Sequence, residues 1–193
     1  MNSSRVALPA SPRAIALIAT SFLLGGCATQ IAVPLYSVST PNVSQITQTQ
    51  ATGIAIATVE GPSTIDTSCR GLKVLTWPND RSPAQYIQNA LEAEMKASRA
   101  LVAPLSTPKV TLFGKVESVK FTSSKSITMG EWDIRMSLRS SNGKTMAAHE
   151  IFEFDSAFEA TEACINAANA FVGATQGLLG KLVNAPEFPS LLK

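Results

Sequence analysis

The chain has 193 residues, 45% of them hydrophobic and 16% charged, which suits one globular domain with fewer charges than usual. The formal net charge is +2, but Arg5 and Arg13 both precede Cys27, so a chain cut there keeps 14 basic and 14 acidic residues. Such a neutral body lacks the one-signed field that holds nucleic acid or draws a protein onto anionic lipid through charge.

Residues 1–13 carry both arginines and no acid, and residues 14–24, AIALIATSFLL, have the length of a signal-peptide apolar core. That run is too short for a spanning helix, which wants roughly 20 apolar residues. Leu24, Gly25, Gly26 and Cys27 close it. These four residues resemble a bacterial lipobox, where lipoprotein maturation attaches diacylglycerol to the cysteine sulfur and cuts before it. The two glycines let an extended backbone enter a protease groove. The resemblance implies a lipoprotein signal peptide over residues 1–26, lipidation and amino-terminal acylation at Cys27, and a membrane anchor made of those acyl chains. One chain holds a protein reversibly, while two or more hold it stably. By the same resemblance, Ala28 in place of Asp implies the outer membrane, on its periplasmic side.

From Ala28 to Val59 there is no charge, and the stretch to Gln50 is rich in Ser, Thr, Gln and Pro. Residues 27–50 therefore read as the lipidated amino terminus and a flexible tether. Its span averages about 25 Å and reaches about 75 Å when stretched. The alternative is that LYSVS, residues 35–39, adds an edge strand. The body then occupies residues 51–193.

It opens on TGIAIATVEG, apolar on both faces as a central strand would be. Leu72 to Trp77 reads as a second strand, ended by Pro78. Ser82, Pro83 and Gln85 make a helix start, and Ile87, Leu91 and Met95 form one stripe of a helix running to about Leu101. KVTLFGKVESVKF changes phase near Glu117, as a bulged long strand or two separate strands would. EWDIRMSLR alternates, with Trp132, Ile134, Met136 and Leu138 inward. Asn142 and Gly143 suit a tight hairpin turn with positive backbone angles. The return strand, about residues 145–155, is broken in pattern only by Glu150, which needs either a second irregularity or a basic partner. Thr161 then caps a long helix bearing Cys164, Ala168, Phe171, Thr175, Leu178 and Leu182 on one side, and Gly173, Gly177 and Gly180 suggest close approach to the sheet or a bend.

This order implies an α+β two-layer fold, with a four- to five-stranded, mostly antiparallel sheet and two helices on one face. In length, anchor and element order, residues 52–185 resemble the small periplasmic lipoprotein domains of the TolB amino-terminal and YajG types. They also resemble the auxiliary lipoproteins of envelope transport systems. The likeness rests on pattern and brings over no functional residue.

With Cys27 acylated, Cys69 and Cys164 remain, and in an oxidising compartment they have one possible pairing, a disulfide. The alternative is two separate thiols. His149 is the only histidine, so two imidazoles cannot share a metal within one chain. Gly143 to Thr145 lacks the upstream glycine of a phosphate loop, and Ser141 and Lys144 lie in a hairpin rather than at a helix start. No catalytic, metal or cofactor residue is expected. The expected function is a non-catalytic binding or assembly module that meets an envelope protein partner. The alternatives are a lipid carrier walled by Phe152, Phe154 and Phe171, and an envelope hydrolase.

Overall fold

The computed structural model describes residues 29–62, 65–71 and 73–193. The leader and Cys27 lie outside these. In chain order the elements are β1 (Thr29–Ala32), α1 (Thr40–Gln48), β2 (Ile54–Ile56), β3 (Ser68–Cys69), β4 (Lys73–Thr76), α2 (Pro83–Ala97), β5 (Val110–Thr122), β6 (Met129–Ser140), β7 (Thr145–Asp155), α3 (Ala160–Val183) and α4 (Phe188–Leu191).

They form an α+β fold with a four-stranded sheet in the order β2-β5-β6-β7 and a three-stranded sheet in the order β1-β4-β3. Strands β5, β6 and β7 pair antiparallel, while β2 joins β5 in parallel. The alternation in β6 buries Trp132, Ile134, Met136 and Leu138 on the same side as Leu112 and Val116 of β5. Helix α2 covers β5, α3 covers β6 and β7, and α1 packs on both helices. Helix α3 also touches β1 and β4, which places it between the two sheets. That position explains why its apolar stripe is so wide, since both sides of the helix need cover.

Several expectations hold in detail. Ser82 accepts from the Gln85 amide while Gln85 reaches back to the Ser82 amide, a complete capping box. The change of phase in β5 is a bulge, because Val116 pairs with Met136 and Ser118 with Arg135, and Glu117 has no partner.

Others need correction. The expected tether is folded: residues 29–32 are β1, paired in parallel with β4, and residues 40–48 are α1. Val33 and Ile46 join the core at 2% and 1% exposure, and burying an aliphatic side chain contributes roughly 1.5–3 kcal/mol. Residues 29–50 therefore belong to the body, which does not start at residue 51. Strand β2 has only three residues and stands last in the sheet order, but its outer side is not bare: Ile54 is bridged there to Leu101, donating to the Ala100 carbonyl and accepting from the Val102 amide. Helix α2 ends at Ala97, before Leu101: Arg99 turns left-handed (φ 63°), and the Arg99 and Ala100 amides close on the Lys96 and Met95 carbonyls. In the β6–β7 hairpin only Gly143 has positive φ, and Asn142 instead uses its side chain to hold the Ser190 and Lys193 carbonyls of the C-terminus. Helix α3 is capped by Glu159, two residues before Thr161, and the Thr161 and Glu162 amides hold the Glu159 carboxyl below the usual range.

Candidate functional site

The first described residue is two positions after Cys27, and it is already paired. Thr29 lies opposite Lys73 at the start of β4. The chain reaches Lys73 from β3 through a turn with positive φ at Arg70 and Gly71, 50° and 80°. That turn ties several loops together. Arg70 donates from Nη2 to the Ser123 carbonyl at 2.8 Å and the Ala157 carbonyl at 3.2 Å, and from Nε to Ser123 Oγ at 3.2 Å. Ser156 donates from its amide to the Thr128 carbonyl at 2.7 Å and from its hydroxyl to the Ser123 carbonyl at 2.6 Å. Thus the β5–β6 loop, the β7–α3 loop and the start of β1 lie at one end of the molecule.

The disulfide closes the same end. Cys69 and Cys164 are bonded, with their Cα atoms 5.9 Å apart, and both are buried. This joins the small sheet to the first turns of α3. Nothing in the spacing of the chain pointed to Arg70, whose role depends on three loops distant in sequence.

A second polar cluster fixes the refolded amino-terminal segment. Glu94 of α2 is 0% exposed. Its Oε1 accepts from Tyr36 Oη, from Asn42 Nδ2 at 3.1 Å and from the Ser39 amide at 3.4 Å, while Oε2 has no partner. Burial raises the Glu94 pKa, and the three donors oppose that without cancelling it. Burial also raises the pKa of Tyr36, with the Glu94 carboxylate adding to the effect. Tyr86 donates to the Pro34 carbonyl at 3.0 Å, and burial pushes its phenol up to about 12.

Glu150 has found a basic partner. It is seated over Gly177, with Lys181 Nζ 2.9 Å from its Oε2 in an ion pair. Lys181 donates its bond to the His149 carbonyl at 2.8 Å. The glycines of α3 do mark close approach to the sheet, since a Cβ at Gly173 would meet the Phe152 ring at 2.7 Å.

The three phenylalanines considered as walls of a lipid cavity are packed. Phe171 touches Trp77, Tyr86 and Trp132 with ring centroids 4.7–5.4 Å apart. Phe152 lies over Gly173, and Phe154 fills the hollow at Gly130. These rings occupy the space between helix and sheet that an acyl chain would need. The open face of the large sheet is polar: Arg139 stacks over Phe113 at 4.3 Å, and His149 Nε2 lies 2.9 Å from Asp133 Oδ1. On the same face, the Ser137 hydroxyl donates to Glu117 Oε1 at 2.9 Å. Ser141 accepts from the Thr111 amide at the hairpin tip. Among the described residues no group of three or more His, Cys, Asp or Glu could hold a metal. A surface cleft of about 430 Å3 runs past Ile65, Val74 and Trp77, with Asp80 and Arg81 among its lining.

No protein-family model matches the sequence, and no curated protein matches it. Among solved structures, the fold is similar to that of protein XCC0632 from Xanthomonas campestris, of the family DUF330. The identity is 16%, 81% of this chain and 93% of that chain are covered, and the TM-score is 0.54. A protein of Caulobacter crescentus CB15, provisionally described as a lipoprotein, aligns over 78% of this chain and 95% of its own at 12% identity and a TM-score of 0.46. At 16% identity the first likeness shows a shared fold.

Proposed function

We propose that this chain is a lipid-anchored, non-catalytic binding or assembly module of the bacterial cell envelope, held on the periplasmic side of the outer membrane by acyl chains on Cys27. The observation that carries the reading is the Leu24-Gly25-Gly26-Cys27 sequence behind an apolar run of signal-peptide length, immediately before the first strand of the fold. No helix among the described residues is long and apolar enough to cross a membrane. Attachment is assigned to the lipid by the lipobox resemblance at Leu24 to Cys27. Confinement raises the effective concentration of the module near a membrane-bound protein partner without any new contact. Ala28 supports the choice of membrane through the lipobox resemblance.

The test replaces the leader with a cleavable one that does not direct lipidation and compares native Cys27 behind its own leader with Cys27→Ser behind the substitute. The native chain is expected in the membrane pellet with an acylated amino terminus by intact mass. The variant is expected in the soluble periplasmic fraction with its Cys69–Cys164 bond intact. A native chain that carries no lipid by mass would sink the reading.

A further inference from the structure

We infer that the end of the molecule from which Cys27 emerges lies directly on the bilayer and inserts the tips of two loops, Ile127 and Phe158, into the lipid surface. The inference rests on the lipidation of Cys27 and adds an orientation and a second contact to it. Two residues of chain span at most about 7 Å. Since Thr29 is already paired with Lys73, the lipid-bearing residue lies within that reach of Thr29, at the end of the sheet where β4 starts. The tether that would have let the body stand away is folded into β1 and α1.

What this end presents is apolar at its tips. Ile127 is 75% exposed on the β5–β6 loop and Phe158 is 87% exposed on the β7–α3 loop. Each lies within two residues of the Ser156–Thr128 hydrogen bond that joins the loops. Arg70 and the disulfide brace them, so both side chains are held out from a stiffened base. Exposed apolar residues occur elsewhere, notably Leu105 on the loop leading into the opposite end of β5, so apolarity alone does not choose the end. The position of the anchor chooses it. An aromatic and an aliphatic side chain presented beside a lipid attachment point match the chemistry of the headgroup and acyl boundary. The charges nearby are mixed, with Lys125 paired to Glu131 and Glu153 and Lys73 acting on Glu159, so the fitting surface is zwitterionic lipid rather than anionic.

The experiment uses the full lipidated chain in phosphatidylethanolamine/phosphatidylcholine vesicles, with nitroxide labels at Ile127→Cys, Phe158→Cys and, at the opposite hairpin tip, Lys144→Cys. Labels at 127 and 158 are expected to gain collision with dissolved oxygen and lose collision with an aqueous nickel chelate, while the label at 144 stays aqueous. Acylated protein with all three labels equally aqueous would overturn the orientation and leave the anchor standing. Labels at 127 and 158 that are immobile and shielded from oxygen and nickel alike would show a protein surface there and overturn it too. Unmodified Cys27 by mass would remove both proposals together.

Discussion

Glu94 is a carboxyl with three donors on one oxygen, none on the other, and no solvent. Its pKa is higher in the folded chain than in the unfolded one, so the folded state binds more protons. The stability this contributes is fully present below the ordinary carboxylate value of 4.5 and is lost as pH rises through the folded value. Glu94→Gln keeps an acceptor for Tyr36 and Asn42 and cannot ionise. Urea midpoints across a pH series should therefore show the native chain losing ground to Glu94→Gln as pH rises, and a constant difference would contradict the argument. Glu94→Ala leaves the donors unpartnered and should cost about 1–3 kcal/mol. At this scale the sequence was partly legible. Glu94 follows Ile87 by seven positions and Leu91 by three, so helical spacing alone places it on the buried stripe. Its partners Tyr36 and Asn42 are more than 50 residues away. No local pattern can announce a contact of that kind. The Cys69–Cys164 bond was reached by counting cysteines, whereas Arg70 depends wholly on where the fold brings Ser123 and Ala157.

Element packing here turns on where a methyl group has room. At Gly130 in β6 an added Cβ would meet the Phe154 ring at 2.3 Å and the Thr122 carbonyl of the neighbouring strand at 2.8 Å. The backbone contact cannot rotate away, so Gly130→Ala should destabilise the fold by about 1–3 kcal/mol, the usual range for overpacking. Gly177→Ala meets only the Glu150 carboxyl, at 2.8 Å, the free end of a flexible side chain already drawn toward Lys181. Alanine in a helix gains about 1 kcal/mol over glycine, which offsets that displacement, so the thermal midpoint should barely move. Equal losses for the two variants would refute this account of the helix–sheet contact. Long elements with a regular period, β5 to β7, α2 and α3, were readable because each builds its apolar face from its own residues. The segment 29–50 was not. Strand β1 has one partly buried residue, Ile31, and gains its place by pairing in parallel with a strand 44 positions on. The start of α1 did carry a signal, Ser39 as cap with Pro41 in the first turn, but the uncharged composition outweighed it.

For the molecule as a whole, the disulfide decides how firmly the small sheet and the loops around Arg70 stay joined to α3. The bond closes a sequence separation of 95 residues. In the chain-entropy model such a loop restricts the unfolded chain by about 4–5 kcal/mol, a large part of a domain's net stability of about 5–15 kcal/mol. Both sulfurs are buried, at 1% and 0% exposure for their residues, so a reductant reaches them only through opening of that end. Two consequences follow for the paired variant Cys69→Ala/Cys164→Ala. Its urea midpoint should fall by an amount corresponding to about 2–5 kcal/mol. Its unfolding slope should rise, because an uncrosslinked chain exposes more surface when unfolded. If the midpoint falls with the slope unchanged, the bond acts through contacts in the native fold instead of through the unfolded chain. The native protein treated with a thiol reductant should keep its bond in buffer and lose it in urea just below the midpoint, read by mass after alkylation. Rapid reduction in buffer would mean that the end bearing Arg70 opens freely, and it could not then hold Ile127 and Phe158 in place on a membrane.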